Sequence, residues 1–87
     1  MKYMLVSTVI PEQYEAAWEE WAKPAELQDG VELLGAWHVG CTSKSFNLYE
    51  ADSLPALTKQ LSRWQGILNM ELFPVMDNEE ARKNLLD

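Results

Sequence analysis

Cysteine, histidine and positive charge are all scarce in this chain of 87 residues. It has one Cys, one His, and seven Lys and Arg against 14 Asp and Glu, for a net charge of −7. With Cys41 alone there is no intrachain disulfide framework, and no CxxC pair exists. His38 alone rules out a His-based multi-ligand metal site within one chain. No phosphate-binding glycine loop and no nucleophile elbow occur, so neither a metal nor any other cofactor is expected. The acidic balance, without any Lys/Arg cluster, repels phosphate backbones and anionic lipid surfaces, and nucleic acid and membranes are not expected partners. No apolar run approaches the roughly 18 residues of a membrane span. The opening Met1-Lys2-Tyr3-Met4-Leu5-Val6 lacks the long apolar core and small-residue cleavage site of a signal peptide, so the expected compartment is cytoplasmic.

What is present is an ordinary globular composition, 47% hydrophobic, with four Trp, three Tyr and two Phe. The length allows one domain, 1–87, and no second. Lys2 to Val9 reads as a strand buried on both faces. Pro11 suits the first residue of a helix, because its missing N–H would be unpaired there anyway. Tyr14, Ala17, Trp18, Trp21 and Ala25 fall on one face of that helix, which predicts a core-facing stripe, with Glu15, Glu19 and Glu20 largely toward solvent. Pro24 marks its end, and Gln28-Asp29-Gly30 is a turn signal. Val31 to Val39 reads as a strand in which Gly35 suggests a bulge or a close backbone approach. The loop Gly40–Ser43 leads to a third strand, Phe46 to Ala51. Ser53 is a natural N-cap for a helix with Leu54, Leu57, Leu61 and Trp64 on one face, and Gly66 is placed to end it. Ile67 to Val75 is the fourth strand, where Pro74 requires a sheet edge or a strand end. Asp77 with Glu80 follows the logic of a capping box and opens a short terminal helix.

Strand-helix-strand, hairpin, helix-strand is the split βαβ order. Right-handed crossovers then put both helices on one face of a four-stranded antiparallel sheet of order 4-1-3-2. The expected fold class is therefore α+β, a ferredoxin-like βαββαβ domain with a short C-terminal helix. Its strands carry apolar residues on both parities, Tyr3 and Leu5 against Met4 and Val6, Leu33 and Trp37 against Leu34 and Ala36. An uncovered apolar face of that size predicts an interface, and closure against a second copy makes a homodimer the expected partner.

Four stretches carry a resemblance to a known family: Leu33-Leu34-Gly35-Ala36-Trp37-His38, Phe46-Asn47-Leu48-Tyr49-Glu50-Ala51-Asp52, Leu61-Ser62-Arg63-Trp64, and Glu71-Leu72-Phe73-Pro74-Val75-Met76-Asp77. With the opening strand they cover nearly the whole chain, which resembles the DUF3303 family of uncharacterised small domains. The resemblance implies the dimeric α/β-barrel version of the ferredoxin-like fold. The wider superfamily includes cofactor-independent monooxygenases, muconolactone-isomerase-like enzymes and haem-dependent enzymes, so the fold does not fix the function. The chain departs from the pattern in the hairpin, where Val39-Gly40-Cys41-Thr42-Ser43-Lys44 lacks the glycine-rich or arginine-containing segment often found after the Trp-His pair.

Candidate chemistry centres on three catalytic residues, His38, Glu50 and Glu71. His38 at a strand end suits a general base or an orienting donor; the alternative is a surface or interface histidine. Glu50 and Glu71 lie on strands, where a carboxylate faces water, a salt bridge or a polar cavity; in a cavity beside His38, desolvation would raise its pKa. Trp37, Asn47, Tyr49 and Trp64 are the candidate ligand-binding residues, although Trp64, with Trp18 and Trp21, also fits core packing. Two functions follow: a homodimeric module binding a small apolar ligand between helices and sheet, or a cofactor-independent monooxygenase or isomerase acting on a small apolar or aromatic substrate. Convergence of His38 with a carboxylate inside a closed cavity would favour the enzyme.

Overall fold

In a computed structural model, residues 1–24 and 26–86 are described, and their order follows the expected one. Strand β1 (Lys2–Val9) leads through a 3-10 turn, Pro11–Gln13, into helix α1 (Tyr14–Ala22). Strands β2 (Val31–His38) and β3 (Lys44–Ala51) form a hairpin. Helix α2 (Leu54–Leu61), a 3-10 turn at Ser62–Trp64, strand β4 (Leu68–Val75) and helix α3 (Asn78–Leu86) complete the chain. The sheet is antiparallel with order β2-β3-β1-β4, so Pro74 does sit on an edge strand, where its missing N–H leaves no gap in the interior ladder. The fold is α+β and consistent with a ferredoxin-like arrangement.

Local signals act where the sequence placed them. The Ser53 hydroxyl accepts from the Ala56 N–H at 3.2 Å, capping α2. Gly30 and Gly66 both take φ +80°, the left-handed region that favours glycine. Lys23, just before Pro24, is extended and ends α1. The Glu80 N–H donates to Asp77 Oδ1 at 2.8 Å, as an N-cap requires. The Glu80 carboxylate departs from a full capping box: it accepts instead from Lys2 Nζ at 2.6 Å, and Lys2 also reaches Asp77 Oδ2 at 3.1 Å. Held first by the Glu80 backbone N–H and then by Lys2, Asp77 titrates below the usual carboxylate range.

The core lies under α2. Leu5, Val31, Tyr49, Ala51, Leu57 and Leu61 form one buried cluster, with Tyr3, Ala56, Met70 and Leu72 packed against it. Gln60, buried on the same helix, accepts from the Gln28 N–H at 2.6 Å and donates to the Glu26 carbonyl at 3.1 Å. It thereby fixes the backbone that enters β2. Gln60→Leu keeps the volume but strands both backbone groups, and is expected to lower stability by about 2 kcal/mol. Urea denaturation would read this as a lower midpoint at unchanged slope; no change would show that water replaces the amide.

Helix α1 packs differently from its periodicity. The Trp18 and Trp21 side chains, expected in the core, are 65% and 61% exposed. The inward face runs instead through Gln13, Ala16, Ala17 and Glu20, of which Ala17 is buried. The reason is a long-range ion pair. Arg63, from the turn after α2, places Nε 2.9 Å from Glu20 Oε1 and donates through Nη2 to the Glu20 carbonyl at 3.0 Å. This turns Glu20 inward and swings the bulky aromatic stripe to the flank. Lys23, donating to the Glu20 carboxylate at 2.8 Å, is the larger cause holding its pKa down, with Arg63 beside it and desolvation opposing. Ala25, the last residue of the expected stripe, lies outside the described residues.

Candidate functional site

Strand register decides which candidate residues share a face. Directly paired residues point to the same side, so the helix-facing side of β1 carries Tyr3, Leu5 and Ser7, and that of β3 carries Ser45, Asn47, Tyr49 and Ala51. On β2 the register shifts between Leu33 and Gly35. The extra residue is a bulge, and it reverses the parity of everything after it. Without it Trp37 would face the helices. With it, Trp37 pairs with Phe46 on the open face and His38 pairs with Ser45 beneath the helices.

The helix-facing side therefore assembles a polar row. His38 sits opposite Ser45, whose hydroxyl lies 2.8 Å from that of Ser7, itself only 3% exposed. One pair of strand positions along, the Asn47 side-chain amide donates to the Tyr49 hydroxyl at 3.4 Å. Trp21 of α1 meets His38 edge-to-face with ring centroids 5.9 Å apart, and Trp18 continues the aromatic chain at 5.8 Å from Trp21. Ser7 and Ser45 are not among the residues that the sequence singles out. The available signal is a polar residue, Ser7, at the parity of Tyr3, Leu5 and Val9. The row thus brings hydroxyl, amide and imidazole groups to the helix side of the sheet, beside the exposed indoles of Trp18 and Trp21.

The other candidates lie elsewhere. Glu50 and Glu71 belong to the open face, paired with Lys2 and Val6 respectively. Glu50 accepts from the Met1 amino group at 3.0 Å. Glu71 is exposed on β4, while His38 lies on β2 at the opposite edge of the sheet. The three expected catalytic residues are thus not brought together within the chain: the carboxylates and the imidazole occupy opposite sides of the sheet. His38 is exposed apart from its contact with Trp21, and among the described residues it makes no ion pair. Trp64 is half-buried in the turn after α2, with the Arg63 guanidinium 5.4 Å from its ring centroid.

The two best-formed depressions lie away from the row. A shallow depression of about 240 Å³ is lined by Gly30, Val31, Glu32, Glu50 and Asp52, and another of about 290 Å³ runs along α3. Neither touches the polar row. Among the described residues, no group of three or more His, Cys, Asp and Glu is gathered to hold a metal ion. Nor is any described helix long and apolar enough to cross a membrane.

The open face has its own order. Trp37, Phe46 and Val6, then Gly35, Leu48, Met4 and Phe73, form two adjacent rows across all four strands, with Glu71 closing the first at β4. Glu32, Glu50 and Lys2 bound this apolar block at one end, and Lys44, Thr8 and Asn69 at the other. The Trp37 ring lies over Gly35 so closely that a Cβ there would fall 2.5 Å from it.

A small α+β domain with α1 and α2 on one sheet face and an apolar block on the other is the class these features define. The chain belongs to the DUF3303 family, a domain of unknown function, whose family model matches residues 1–87. No curated protein matches it.

Proposed function

We propose that the protein acts as a homodimeric binding module, two sheets closed face to face in a dimeric α/β barrel. Each protomer takes a small apolar or aromatic ligand between α1 and the sheet. The observation that carries this reading is the division of labour imposed by the β2 bulge. It assigns Trp37 to the apolar face a second copy would cover, and leaves His38 with Ser45, Ser7, Asn47 and Tyr49 on the other side beside Trp21. Dimer closure leaves the helix side of the sheet free of the partner, with exposed His38 and Trp21 at the edge of the row as the point of entry. The indole of Trp21 supplies stacking surface, and His38 with Asn47 meets a polar substituent; Trp64, half-buried in the turn after α2, is a further candidate contact. An acidic surface and a free, exposed thiol at Cys41 suit a reducing cytoplasmic compartment.

Fluorescence and amide chemical shifts, followed while phenols and small aromatic acids are added, test the ligand site. The expected result is a saturable change centred on Trp21, His38, Asn47 and Tyr49. Trp21→Ala should weaken binding about tenfold through lost stacking area, and Asn47→Ala by a similar factor. Shifts confined to the open sheet face, or none at millimolar compound, would contradict the assignment.

A further inference from the structure

The terminal helix has almost nothing of its own chain to rest on. Among the described residues of α3 none is buried, and Leu85 and Leu86 are 76% and 74% exposed. Its ties to the preceding chain are few: Lys2 reaches Asp77 and Glu80 at its first turn, and the Asn84 side-chain amide donates to Met76 Sδ at 3.7 Å. Nine residues fall short of the roughly 12–15 that hold a helix marginally in water, so α3 needs a surface to pack on.

Two global quantities show the same deficit. The Cα radius of gyration is 14.3 Å and the longest dimension 49 Å, whereas a compact domain of this length has a radius near 12 Å. The accessible surface is 6322 Å², against about 5,200 Å² for a compact monomer of 10.0 kDa. The surplus of roughly 1,100 Å² is comparable to the ~800 Å² that one partner contributes to a stable interface.

Direction matters as well. Lys2 has the parity of Met4 and Val6, so its side chain rises from the open face. Because it grips both Asp77 and Glu80, α3 starts on that side of the sheet, away from α1 and α2.

We infer that α3 is an exchange arm, reaching past its own sheet to lay Leu85 and Leu86 on the second copy of the chain. The inference rests on the dimer proposed above and adds which segment crosses it. Each arm covers apolar surface of its neighbour, while the Lys2 bridges set the angle at which it leaves.

Hydrogen exchange of the α3 amides, measured on the full chain beside sedimentation equilibrium at the same concentrations, tests it. A second sample carries Leu85→Ser with Leu86→Ser, two exposed positions whose change leaves the protomer fold intact. The expected result is a dimer with α3 protected, and a variant with α3 unprotected and a dimer dissociation constant raised about a hundredfold. A dimer whose α3 exchanges at free-peptide rates would overturn the arm and leave the dimer standing. So would a double variant that dimerises as well as the wild type. A chain monomeric at every concentration would remove the dimer, and the arm with it.

Discussion

Replacing Leu48 by glutamate is expected to leave a folded monomer. Leu48 lies on an interior strand, between Met4 of β1 and Gly35 of β2, near the middle of the open face. It is only half-buried in the protomer, so the carboxylate has water there and the fold beneath is untouched. In a two-fold dimer the change enters twice, once from each copy. Burying both carboxylates in an apolar centre without partners costs at least about 4 kcal/mol, which raises the dissociation constant roughly a thousandfold. Thr8→Glu, at the polar rim, is the control and should change it no more than about twofold. Circular dichroism of the Leu48 variant should match the wild type. Loss of secondary structure with loss of the dimer would mean that the open face folds only with its partner; a dimer as tight as wild type would place the interface elsewhere.

The second large effect lies on the other side of the sheet. Leu57, on α2, is fully buried at the centre of the core cluster. Leu57→Ala removes its contacts with the sheet and leaves a cavity, at an expected cost of about 3–4 kcal/mol. For a domain of this size that is a large part of the whole stability, equivalent to a fall in Tm of about 15–25 °C. The measurement is cleanest in the Leu48→Glu background, where unfolding does not depend on concentration. A loss below about 1 kcal/mol would show that α1 and α2 repack to fill the space, and that the helical layer is looser than its contacts indicate.

Most of the architecture is legible from local chemistry. The Ser53 cap and the turn at Gly30 rest on residues close in sequence, and the strand order with Pro74 on its edge follows from the element order and the handedness of the crossovers. What escapes depends on distant partners or on parity. The stripe of Tyr14, Trp18 and Trp21 predicts a buried α1 face, but periodicity does not register an ion pair between Glu20 and Arg63, 43 residues apart. Small Ala16 and Ala17 let that face approach the body, and the indoles are left outside.

The candidate site shows the cost of a single residue. Gly35 signals a bulge, yet its consequence, the exchange of Trp37 and His38 between faces, follows only once the register on either side is known. A grouping of His38 with Glu50 and Glu71 is reasonable by residue type, whereas the register sets the imidazole and the two carboxylates on opposite faces of the sheet. The grouping that replaces it contains Ser7 and Ser45, two residues whose side chains are informative only when seen opposite each other.

Sedimentation equilibrium of the unmodified chain from low micromolar concentration upward shows whether a second copy covers the open face. The expected result is a single species at twice the 10.0 kDa chain mass, dissociating only at the dilute end. A species that stays at 10.0 kDa throughout would contradict it.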